Sequence, residues 1–151
     1  DIHPLVGNNV ELAKLLELDI TGPLEQGNAN SVGLVGELKQ AMPAGEFKQL
    51  ITTRLNRECL HIGDPSKLIT TIGFCTGAAQ GMIDQAVALG VDAYLSGEIS
   101  EPTVHIAEET GVNYFSAGHH ATERGGVKAF GKLLAEELDL EFEFLDIANP
   151  V

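Results

Sequence analysis

Leu68-Ile69-Thr70-Thr71-Ile72-Gly73-Phe74-Cys75-Thr76-Gly77-Ala78-Ala79-Gln80-Gly81 is the stretch that decides the fold. Its first eight residues are largely apolar or β-branched, which is how a strand buried on both faces reads. The run breaks at Thr76-Gly77, and the pattern after Gly81 is helical as far as Gly90. A strand delivering through a glycine turn into a helix opens a βαβ unit. The C-terminal side repeats the arrangement. Asp92 to Ser96 reads as a strand, Glu101 to Glu109 as a helix stopped by Gly111, and Asn113 to Ala117 as a third strand. Ala121 to Leu138 is a long helix with Val127, Phe130, Leu133, Leu134 and Leu138 at helical spacing, and Leu140 to Ile147 reads as a last strand with alternating acids.

The N-terminal side is less regular. Asn8 to Glu17 fits a short amphipathic helix capped by Asn8 or Asn9. Thr21 to Asn30, rich in Gly, Asn and Pro, reads as a loop, and Ser31 to Leu38 as a strand weakened by Gly33 and Gly36. Pro43 suits a first helical residue, with the helix running to about Asn56, and Leu60 to Ile62 is a short strand. The expected fold is therefore α/β, a mixed or parallel sheet flanked by helices.

A chain of 151 residues suggests one domain. Hydrophobic residues at 44% and charged residues at 21% fit a folded globular chain. The formal net charge of −13 repels phosphate backbones and anionic lipids, which argues against nucleic-acid or membrane binding. No apolar run is long enough to span a bilayer and no signal peptide opens the chain, so a cytoplasmic protein is expected. The two cysteines, Cys59 and Cys75, lack a CxxC partner and are read as small buried thiols. Asp1-Ile2-His3-Pro4 starts without an initiator Met, as in a piece of a longer protein.

Active sites in open α/β sheets lie beyond the carboxyl ends of the strands. Three such ends carry polar residues: Thr76 to Gly81, Ser96-Gly97-Glu98, and Gly118-His119-His120. The third is the sharpest. If a helix starts at His119 or His120, His119 and Glu123 share one of its faces, where an imidazole nitrogen and a carboxylate can hold a divalent metal. Otherwise His119 caps the helix and Glu123 favours its dipole. His120 is a further ligand, a supporting group or a surface residue, and Arg124 pairs with a phosphate or with a carboxylate. Gly125 and Gly126, costly early in a helix, answer to a ligand's approach or to tight packing. Glu98 and His105 are the candidates for proton transfer. The turn at Thr76 to Gly81 could cradle a phosphate through its N–H groups but lacks the Walker lysine. His61 and Cys59 read as structural, and the acids from Glu136 to Glu143 as a solvated face.

Four passages carry a family resemblance: Asp1 to Asn9, Cys75 to Gln80, Val91 to Glu98, and Gly118-His119-His120-Ala121-Thr122-Glu123-Arg124-Gly125-Gly126. The chain resembles the YbgI-type or NIF-three-like family, whose members are often described as type 2 GTP cyclohydrolase homologues. Phe144 to Pro150 also resembles its bacterial branch. The resemblance implies a dinuclear metal centre with His and carboxylate ligands, in which Asp1, His119 and Glu123 match ligands and His120 does not. It implies two divalent ions, iron, manganese or zinc, and a two-lobed subunit in a hexameric ring. The family's adjacent His-His pair, in its N-terminal portion, has no counterpart here. The chain is thus expected to be the C-terminal portion of such a protein, with about 32–123 forming one lobe and 1–31 and 124–151 completing the other. The activity implied is metal-dependent hydrolysis of a small molecule, and the alternative is a non-enzymatic metal-binding oligomer.

Overall fold

The computed structural model describes residues 2–28 and 30–150. At its centre the decisive stretch forms strand β4 (Leu68–Cys75), bordered by β2 (Leu34–Pro43) and β5 (Ala93–Ser96). With β1 (Leu18–Pro23), β3 (Leu60–Ile62) and β6 (Asn113–Ser116), the described residues make a six-stranded sheet in the order β1-β2-β4-β5-β6-β3. β4, β5 and β6 run parallel, and the other pairings are antiparallel, so the sheet is mixed. Cys75 stands level with Ser96, and Ser96 with Ser116.

Helices cover both faces, as the apolar composition of β4 requires. On one face α1 (Asn8–Leu15) and α2 (Ala44–Leu55) pack Leu12, Phe47 and Ile51 against Ile72, Leu95 and Phe115 of the sheet. The first turn of α5 (His119–Leu138) adds Ala121 to that layer. On the other face α3 (Ile83–Leu89) and α4 (Glu101–Thr110) bring Ile83, Ala86 and Ala107 onto Tyr94 and Tyr114. Adjacent residues such as Tyr94 and Leu95 thus enter opposite cores, the alternation a two-sided sheet demands.

Three expectations are corrected. Thr21 to Pro23 belongs to β1 rather than a loop. Gly22 and Pro23 are tolerated because β1 is an edge strand with a register shift between Ile20 and Gly22. β2 starts at Leu34, later than expected, and runs on through Pro43, which is both a strand end and the residue before α2. Leu140 to Ile147 forms no strand. It carries a β pattern but pairs with no sheet edge and lies instead along α5, where Phe144 sits under Lys128 (4.3 Å) and Asp146 bonds Arg124. On α5 itself Val127, Phe130, Leu134 and Leu138 are exposed, so the apolar spacing that marks the helix faces away from this core.

Candidate metal centre

Because β4, β5 and β6 end level, the turns that follow them meet on one rim, and backbone bonds lace these turns together. Gly97 N–H donates to Gly77 O (2.9 Å), and Gly118 N–H to Gly97 O (2.9 Å). Ser96 Oγ donates to Gly77 O (3.1 Å) and accepts from Ala79 N–H (3.2 Å). The three polar strand ends read from the sequence are therefore one physical unit.

The α5 helix starts at His119 with Gly118 as its N-cap, so His119 and Glu123 do share a face. His119 lies between two carboxylates: Nδ1 meets Glu98 Oε1 at 2.6 Å, and Nε2 meets Glu123 Oε2 at 3.2 Å. The Glu98 carboxylate holds the His119 imidazole's pKa above its ordinary value, with help from Glu123 and against the pull of partial burial. The Glu98 backbone is itself pinned, since Tyr114 OH donates to its carbonyl (2.5 Å).

This order of groups is the one that aims a histidine at a metal. A carboxylate on one ring nitrogen fixes the tautomer and leaves the other free to ligate. Here Glu98 would orient the ring, and His119 Nε2 with a Glu123 oxygen would hold the ion. Among the described residues no three His, Cys, Asp or Glu side chains gather as a metal-holding group. Asp1 lies outside the described residues. His105 is exposed on α4, with no bond to Glu98, His119 or Glu123, so the structure does not bring it to the rim.

Gly77 shows why the chain leaving β4 must turn on glycine. Its φ is +70°, and a Cβ there would overlap Glu123 Oε1 and lie 3.2 Å from His119 Nε2. The same turn has few N–H groups left for a phosphate. Thr76 N–H bonds Asn9 Oδ1 (2.8 Å), Gly77 N–H bonds Thr122 Oγ1 (3.1 Å), and Ala79 N–H is held by Ser96. The close approach at Gly125 and Gly126 is packing: added Cβ atoms would meet Glu11 Cβ at 2.7 Å and Asn8 Oδ1 at 2.5 Å on α1. Arg124 pairs with Asp146 (2.8 Å) and donates to Leu55 O (2.8 Å). His61 stacks on Phe115 and bonds Asn113, and both cysteines are free and buried, as their structural readings require.

Two supporting roles escaped the sequence reading, which took Asn8 or Asn9 for the cap of α1, a place that Gly7 holds. Asn9, fully buried, ties α1 to the glycine turn through Thr76 N–H and donates to Val32 O (2.5 Å). Thr122, also buried, joins the turn to α5 by accepting from Gly77 N–H while donating to His119 O (2.9 Å). Thr122 sits in a motif already singled out and could have been found there. Asn9 could not, because its partner is 67 residues away.

Comparison with known proteins agrees with this fold. A relative from Pseudomonas aeruginosa, named GTP cyclohydrolase 1 type 2 homolog, is 50% identical over 150 residues, which is 99% of this chain and 59% of the relative. A relative of the same name from Haemophilus influenzae is 49% identical over 99% of this chain and 60% of its own length. The chain thus spans about 60% of the length of these curated relatives. A solved structure of a protein called ybgI, of unknown function, superposes with a TM-score of 0.93 at 42% identity, covering 100% of this chain and 60% of that one. A structure of the protein TTHA1606 from Thermus thermophilus shares the fold at 23% identity with a TM-score of 0.81, covering 99% of this chain and 58% of that one. The sequence profile of one family covers residues 1–150, and the chain belongs to that family, Duf34/NIF3 (NGG1p interacting factor 3).

Proposed function

We propose that this chain is the metal-holding portion of a metal-dependent hydrolase. The observation that carries the reading is the order Glu98–His119–Glu123, in which one carboxylate orients the ring and its second nitrogen faces another carboxylate. His119 and Glu123 are ligands in this reading, with Asp1 the third by family resemblance. A pair of divalent ions (iron, manganese or zinc) would supply a water of lowered pKa and a clamp for substrate oxygens. Glu98, held on His119 Nδ1, accepts the ring's hydrogen bond and tunes it; His105, which the structure leaves away from this rim, takes no part in the reading. The relatives' name suggests a nucleotide substrate, and a purine is not required by the residues described.

The remaining ligands, an adjacent pair of histidines, would come from a segment found in the longer relatives. The exposed stripe Val127, Phe130, Leu134 and Leu138, together with the unpaired β pattern of 140–147, supports a second lobe packing there. A homo-hexameric ring in the cytoplasm completes the reading. Among the described residues no helix is long and apolar enough to cross a membrane.

The test is an anomalous-scattering map of the full-length protein, with metal titration of the wild type and of His119→Ala. Two ions at His119 and Glu123, lost in the variant, are expected. Metal-replete protein should then hydrolyse at least one member of a nucleotide and phosphoester panel. Binding without turnover across that panel would replace the hydrolase with the metal-binding scaffold.

A further inference from the structure

Beside the metal end lies a second cavity, of about 360 Å3, walled by Asn56 and Arg57 after α2, His120 and Arg124 of α5, and Asp146 and Asn149 of the tail. The chain is strongly acidic at −13 and has only three arginines, yet two of them line this one space. Arg57 meets no carboxylate among the described residues. Its Nη1 donates to a neutral carbonyl, Pro150 O, at 2.6 Å. Its side chain lies against Gly118, whose φ of +96° and missing Cβ make the room. A cation is therefore held at the start of α5, where the helix dipole already makes the potential positive and the first turn has no acidic residue to offset it. His120 adds a ring nitrogen, Nε2, that is buried without a hydrogen-bond partner and stands 4.0 Å from Asp146, too far to bond. Among the described residues Asp146 is the one carboxylate in the cavity, and it occupies one edge of Arg124.

We propose that this cavity binds the phosphate group of a small-molecule ligand, with Arg57, Arg124 and His120 as its donors. Donors arriving from two separate segments, the turn after α2 and the first turns of α5, can surround a tetrahedral oxyanion, and the guanidinium fork matches phosphate oxygens. The cavity shares His120, Arg124 and Asn149 with a neighbouring one of about 600 Å3 that reaches His119 and Glu123 along Val127 and Phe144. A phosphorylated molecule anchored at Arg57 would lay its less polar remainder on that wall, facing the metal end. Only this orientation rests on the metal reading.

Inorganic phosphate is titrated into metal-free, chelator-treated protein at constant ionic strength, by calorimetry and by following the His120 ring resonances, with acetate as the planar control. Saturable phosphate binding that moves His120 is expected, with acetate weaker. Arg57→Gln should weaken it about tenfold, as loss of a charge-assisted bond does. Asp146→Asn should tighten it several-fold by removing a competing anion, which a merely structural aspartate would not do. Melting curves of both variants establish that they fold, and Arg57→Lys, which keeps charge and loses the fork, should fall between. Absence of saturable binding in the wild type and in Asp146→Asn overturns the proposal. So does equal binding by Arg57→Gln, or binding that appears only after metal is added, since phosphate is then a metal ligand. Because the titration contains no metal, failure to find metal at His119 and Glu123 leaves its outcome unaffected.

Discussion

His119 is where a change of one proton or one methyl group is felt most directly. Its imidazole pKa is raised in the folded chain by Glu98, so the folded state binds a proton more tightly than the unfolded one. The resulting stabilisation is fully present below the ordinary value of 6.5 and disappears as pH rises through the folded value. Metal-free protein should therefore melt slightly lower as pH climbs from the mid-sixes, and Glu98→Gln should flatten that slope. The effect is small because both side chains are about one-third exposed and solvent screens them. At Gly77, Ala would have to adopt a left-handed backbone and push its methyl into Glu123. Gly77→Ala should cost about 1–2 kcal/mol from the backbone alone, and metal affinity should fall with it, read by denaturant unfolding and by metal titration. The Cys59 thiol, fully buried and with its pKa pushed up to about 12 by burial, should resist thiol reagents in the native protein and react once it is unfolded.

Among the elements, what could be read from the sequence follows a physical line. β4, β5 and β6 announce themselves because each is a buried apolar run closed by glycine, and the helices between them because each stops on a glycine, Gly90 or Gly111. The HxxxE spacing of His119 and Glu123 needs only the start of α5 to become a shared face. β1 was obscured because an edge strand tolerates Gly and Pro, and the far half of β2 because past Leu38 it has no β1 partner and exposes Lys39 and Gln40. Leu140 to Ile147 misled in the other direction: alternation is a property of the segment, but a strand requires a partner edge. The link between α1 and the glycine turn was invisible because Asn9 looks like any helix-capping residue, yet it is buried and bridges to β4. Asn9→Ala should cost about 2–3 kcal/mol, since it strands the Thr76 N–H in a buried setting. Urea unfolding checks this, and a loss below about 0.5 kcal/mol would mean that water replaces the amide.

For the molecule as a whole, the core and the tail should separate energetically. The core lies in two layers on either side of the sheet, and neither layer includes a residue beyond Ala121. The tail after Asp139 holds on by Arg124–Asp146, by Lys128 over Phe144, and by Arg57 on Pro150 O. Exposed contacts of these kinds are worth little each, so ending the chain after Asp139 should lower stability by only about 1 kcal/mol while unfolding stays a single transition. A larger loss, or a broadened transition in the urea curve, would show that the tail is part of the cooperative unit.

The level ends of β4, β5 and β6 carry a consequence for how such a chain can change over generations. Cys75, Ser96 and Ser116 stand abreast, and Glu98 meets His119 only because each lies a fixed count of residues past its strand end. Replacing side chains leaves that count intact, whereas dropping a single residue from β5 would turn its inner and outer faces over and carry Glu98 away from the imidazole. The rim is thus forgiving of spelling and intolerant of frame. Length differences between homologous chains should gather in the stretches joining α2, β3 and β4, and be absent between Ala93 and Glu123.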